Sequence, residues 1–126
     1  METPEQAALA VLDTFMDALN RRDGDAMGAT FHFPHYRFAS GRVDVFPTAD
    51  DYGFERFDRA TKADGWARSA WDYRTVIHAG ADKVHLDVQF TRYRADGSTI
   101  GSYQSLWIVT CRDGRWGVEA RSSFAP

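Results

Sequence analysis

Two histidines three residues apart, in the run His32-Phe33-Pro34-His35, are the side chains of this chain best suited to chemistry. Imidazole ionises near neutral pH, so either ring is a candidate acid/base, and burial in an apolar space would tune it. In an extended strand, positions three apart point to opposite faces, so one ring reaches an enclosed space unless Pro34 bends the chain. Alternation groups His32 with Tyr36, Phe38, Val43 and Val45, an apolar set that favours His32 as the inward ring. It groups His35 with Phe33, Arg37 and Asp44. No third ligand stands at useful spacing, so no metal site is expected. No paired carboxylates, base-flanked nucleophile or phosphate loop is visible, and no cofactor is implied.

The elements that must position these residues are clearest near the C-terminus. Residues 83–124 read as two hairpins in series, turning at Asp96-Gly97 and Asp113-Gly114 between alternating runs. With two-residue loops, Phe90 faces Tyr103 and Leu86 faces Trp107 across the first hairpin. Across the second, Trp107 faces Ala120 and Val109 faces Val118. One face then carries Val84, Leu86, Val88, Phe90, Trp107, Val109, Cys111, Trp116 and Val118. Its polar members, Arg92, Tyr103, Ser105 and Ser122, must be hydrogen-bonded or line a cavity. Arg92 either snorkels to solvent or meets an anionic ligand, and snorkelling is the commoner outcome. Ser105 and Ser122 stand opposite each other. With Tyr36 and the aromatic residues Tyr52, Trp66, Trp71 and Phe57, these side chains are the candidate pocket wall.

The other face places Leu106 and Ile108 among His85, Asp87, Glu119 and Arg121. Two apolar residues inside a rim of both charge signs suit a two-fold self-contact, so a homodimer through this face is expected.

Upstream, Thr3-Pro4-Glu5-Gln6 is a capping box with proline at the first helical position, and Ala8, Val11, Leu12, Phe15 and Leu19 follow at helical spacing. A short second helix is predicted over residues 25–29. Residues 31–46 form a hairpin turning at Ser40-Gly41, with Phe38 against Val43, Tyr36 against Val45, and Arg37 against Asp44 as an ion pair. Pro34 belongs at an edge or bulge. Thr48 opens a third helix running to about Ala63, residues 66–71 connect, and residues 72–79 are a strand. Helices grouped against one face of a mainly antiparallel sheet make an α+β domain.

Composition narrows the class. One domain spans residues 1–126, and 44% apolar residues are enough for a core. A net charge of −3 with interspersed signs gives no footprint for nucleic acid. The single cysteine, Cys111, excludes an intramolecular disulfide and reads as a buried thiol. No apolar run is long enough for a membrane span, and the acidic N-terminus lacks signal-peptide features, so the expected compartment is cytoplasmic.

The order of elements, with the run 31–46, the two Asp-Gly turns and the ending 114–126, resembles the nuclear-transport-factor-two-like superfamily over the whole chain. Ketosteroid isomerases, polyketide cyclases and scytalone dehydratase belong to that superfamily. The likeness is greatest to its small bacterial members of unassigned reaction. The resemblance implies a curved sheet rolled into a cone around a pocket, closed by about three helices and often paired through its outer face. The isomerase base, an aspartate before a proline on the first strand, is matched here by Phe33 ahead of Pro34. No tyrosine stands on the first helix for its oxyanion hole. The match to the isomerase base also points Phe33 and His35 inward, against the alternation pattern.

The expected function is therefore small-molecule binding in a cone. It extends to lyase, isomerase or cyclase chemistry on an apolar carbonyl compound, with His32 or His35 as acid/base and Tyr103 as donor. The alternative is a binding or dimerisation module whose cavity is filled by side chains.

Overall fold

The computed structural model describes residues 2–126. Helix α1, Pro4–Asn20, starts at the expected capping box, with the Thr3 hydroxyl accepting from the Gln6 N–H and the Gln6 amide accepting from the Thr3 N–H. Helix α2 is Gly24–Gly28. Strands β1, Phe31–Ala39, and β2, Arg42–Phe46, pair in the expected register about Ser40 and Gly41, both at positive φ. Helix α3, Phe54–Thr61, precedes the meander β3, Trp66–Ala79, β4, Lys83–Arg94, β5, Thr99–Arg112, and β6, Arg115–Ser123. The six strands form one curved, unclosed sheet in the order β2-β1-β6-β5-β4-β3, antiparallel except where β1 runs parallel to β6.

The core lies between α1 and the concave face. Leu12, Phe15 and Leu19 pack on Val84, Leu86, Val88, Trp107 and Val109, each large apolar side chain stabilising the fold by roughly 1.5–3 kcal/mol. Asn20 pins the helix end to β3, donating to the Ser69 carbonyl at 2.9 Å and accepting from its N–H at 2.8 Å.

Five local expectations are corrected. The third helix is interrupted: a single turn at Ala49–Asp51 satisfies the Thr48 cap, Tyr52 and Gly53 are extended, and only then does α3 begin. The break turns the Tyr52 ring onto Phe31 and Phe46. Residues 66–71 are not a connector but the first half of β3, paired from Trp66 opposite Arg94 onward. The Asn20 clamp and the Trp66 indole bond to Ser69 hold that segment extended. Asp44 stands opposite Arg37 yet pairs with Arg56 and Arg42. Cys111 is half-buried.

The fifth correction matters most for the site. Between β4 and β5 the expected register holds, with Phe90 opposite Tyr103 and Leu86 opposite Trp107, although an irregularity at Arg92 and Tyr93 lets the loop take more than two residues. Between β5 and β6 it holds only from the Asp113-Gly114 turn to Val109 opposite Val118. There Glu119 is an extra residue, and beyond it Ile108 faces Ala120, Trp107 faces Arg121 and Leu106 faces Ser122. A one-residue bulge exchanges the faces of everything after it. Arg121 therefore turns inward and Ser122 outward.

Candidate functional site

The open end of the curved sheet holds a cavity of about 170 Å³. Phe15 and Met16 of α1, Phe57 of α3, and Trp71, Phe90 and Trp107 of the sheet make its apolar wall. Trp71 is fixed by its indole N–H, which donates to the Leu12 carbonyl at 3.3 Å. The polar lining is unusual in sign: five arginines, Arg37, Arg42, Arg56, Arg92 and Arg121, reach the cavity, and no aspartate or glutamate does. Asp44 alone, shared by Arg42 and Arg56, supplies a carboxylate to any of the five among the described residues.

Arg121 lies at the centre of this arrangement. Its guanidinium carbon is 4.9 Å from the Phe31 ring centre and 5.4 Å from that of Trp107, so the planar cation is sandwiched by aromatic faces. Its Nε donates to His35 Nε2 at 3.0 Å. Burial lowers its pKa, and the Tyr52 hydroxyl opposes that shift. Arginine stays protonated even so.

His35 is the inward histidine, completely buried and stacked on Phe31 at 4.0 Å. The alternation pattern favoured His32, and the structure reverses it. The β1–β6 register slips between Phe31 and Tyr36, around Pro34, so Phe31, His35 and Arg37 all face the concave side. Because His35 Nε2 accepts from Arg121, its proton sits on Nδ1 and is donated to the Val118 carbonyl at 3.1 Å. Burial first, then the charge of Arg121, holds its pKa down to about 2. A neutral ring with its lone pair committed positions an arginine; it is not placed to abstract a proton.

His32 is also buried, but away from the cavity. Its Nδ1 accepts from the Arg115 guanidinium at 3.0 Å, so Nε2 carries the proton and donates to the Thr110 carbonyl at 2.9 Å. The ring lies over Gly117, where a Cβ would come within 3.1 Å of it. Arg115 also donates to the Ala29 and Phe31 carbonyls, so the group ties β1 to the β5–β6 turn.

Of the expected pocket residues, Tyr52, Trp71, Arg92 and Ser105 do line the cavity. Arg92 does not snorkel: it is 4% exposed, between Tyr103 and Phe57, and its Nε has no partner among the described residues. Tyr103 touches the site through that arginine and is not itself in the lining. Ser105 donates to the Ser122 carbonyl at 2.9 Å, and its cross-strand neighbour is Ser123. Tyr36 and Ser122 are corrected: both are exposed on the convex face, because alternation after Pro34 and after Glu119 is reversed from the expected phase. Of the expected dimer residues, Arg121 leaves for the cavity, and Glu119 pairs with Arg112 and Thr110 within its own hairpin. His85, Asp87, Leu106 and Ile108 stay on the convex side. Sequence reasoning missed Arg37, Arg56 and Arg121 as lining residues. Arg37 was legible through its phase with His35, whereas Arg121 was hidden by the bulge.

The architecture is shared widely. A cystatin-like-fold protein of unknown function from Nostoc punctiforme superposes with a TM-score of 0.72 at 16% identity, covering 97% of this chain and 90% of its own. A ketosteroid isomerase-like protein from Erwinia carotovora gives 0.66 at 20% identity, with 95% of each chain covered. A Catenulispora acidiphila structure in complex with S-DNPA gives 0.73 at 15% identity, covering 95% of this chain and 91% of that one. At these identities the likeness is one of fold. No functionally curated protein matches the sequence. The NTF2-like protein family DUF6841 matches residues 5–122, and the chain belongs to it.

Proposed function

We propose that the protein binds a small, largely apolar molecule, about one ring in size, within its cone. The cavity carries this reading: about 170 Å³ enclosed chiefly by aromatic side chains, where apolar cavities of about 150 Å³ already accept benzene. An unfilled space of this size also weighs against a module plugged by its own side chains. Binding is favoured over lyase, isomerase or cyclase chemistry by the lining. It offers no Asp, Glu, His or Cys as base, and the lone pairs of His32 and His35 are taken up by Arg115 and Arg121. The complex formed by the Catenulispora neighbour supports treating the site as a binding site. A thermal-shift screen of small ring compounds tests it. At least one should raise the melting temperature of the wild type and leave the variant Ala60→Trp, which obstructs the cavity from an exposed position, unmoved. Silence across the screen at millimolar concentration sinks the proposal.

Two copies of the chain pair, in the same reading, through the convex face. Cross-strand rows there run Val43, Phe38, Ser122, Leu106 and Val45, Tyr36, Ala120, Ile108. Phe38, Val43, Val45 and Leu106 are each about half exposed, at 54%, 59%, 52% and 49%. A contiguous apolar strip of this kind is uncommon on a monomer. The contact is thus centred nearer β1 and β2 than the sequence pattern suggested. Light scattering at micromolar concentration should give a dimer that Leu106→Glu dissociates, and a monomeric wild type removes the idea.

A further inference from the structure

We infer that the ligand is an organic acid, a carboxylate monoanion on a single-ring or short aliphatic body, held with its charged end among Arg37, Arg92 and Arg121. This deepens the binding proposal and rests on it. A buried cation is costly unless paired, and removing a partner from a buried pair leaves an uncompensated charge. Among the described residues, none of these three arginines has a carboxylate partner. Arg92 is 96% removed from solvent with its Nε unpartnered, and Trp107, equally buried, has a free indole N–H in the same cavity wall. Arg37 has one long bond, at 3.4 Å, to the Ala125 carbonyl. The chain has 18 acidic and 15 basic residues, yet every formally charged side chain in this lining is cationic. Donors without acceptors around an apolar space describe the complement of an apolar acid.

The size of the space limits the body of that acid, and the fork of a guanidinium matches the two oxygens of a carboxylate. His35 fits as the positioning residue: as a neutral acceptor it fixes the Nε edge of Arg121 without neutralising the charge that an aspartate in its place would cancel. The aromatic faces around Arg121 and Arg92 hold both cations without supplying a counter-ion.

The experiment is a calorimetric titration of the intact protein with phenylacetate, benzoate and hexanoate, against toluene and benzamide as uncharged probes and inorganic phosphate as a bare anion. At least one acid should bind about tenfold or more tightly than its uncharged counterpart. In Arg92→Met, whose side chain meets only aromatic faces, acid affinity should fall about tenfold while toluene binding is unchanged. The melting temperature of this variant without ligand should equal or exceed that of the wild type, because an unpaired buried charge has gone. Arg121→Met should lose acid binding as well, and Arg92→Met keeps the test available should that variant misfold. Toluene or benzamide binding as tightly as the acids overturns the charge assignment and leaves the cavity reading standing. No response to any organic probe at millimolar concentration defeats both. Phosphate binding alone, or a less stable Arg92→Met with unchanged acid affinity, overturns the organic-acid assignment.

Discussion

The two ends of the β1–β6 seam are built from the same kinds of residue and are opposite in design. At one end His32, Arg115 and Thr110 close a group in which each ring nitrogen has a partner, and Arg115 itself remains exposed. At the other, His35 and Arg121 face a cavity whose Arg92 and Trp107 donors are unpartnered. A histidine and an arginine make a strut where the carbonyls are local and a prepared binding surface where they are lacking. What distinguishes structure from function here is the state of satisfaction of the polar groups, not their identity.

Parallel substitutions sharpen that contrast. Exchanging His35 for Leu strands the Arg121 Nε and the Val118 carbonyl in a buried setting, each at roughly 1–3 kcal/mol, so a loss of about 3 kcal/mol is expected by chemical denaturation. The pH dependence comes next. The unfolded ring takes up a proton below its ordinary pKa of 6.5, while the folded ring stays neutral down to about 2. Stability from this residue is thus complete above pH 6.5 and declines as pH falls below it, by about 2 kcal/mol between pH 7 and pH 5. Denaturant melts at both pH values should show the decline, and His35→Gln should remove most of it. His32→Leu is the mildest, at about 1 kcal/mol, because the freed Arg115 guanidinium can reach water. Equal costs for the two leucine variants would break the comparison.

Much of this was readable along the chain. The capping box at Thr3, the turns at Ser40-Gly41 and Asp113-Gly114, and the pairing of Leu86 with Trp107 follow from local rules of hydrogen bonding and alternation. The continuity of β3 was not readable, since Asn20 secures Ser69 from 49 residues away. Trp71 and Arg92 could be picked out as residues facing a cavity, but whether Arg92 reached water depended on Phe57 and Tyr103 packing around it.

The sequence by itself determined which residues alternate, where the chain turns, and that one greasy face would meet the helices. Only the tertiary structure decided the phase of that alternation, at Pro34 and at Glu119, and with it which histidine and which arginines look into the cone. The physical reason is that a bulge inserts one residue without changing local propensity. Its place is set by how the whole sheet curves and packs, and a single inserted residue is enough to exchange inside for outside.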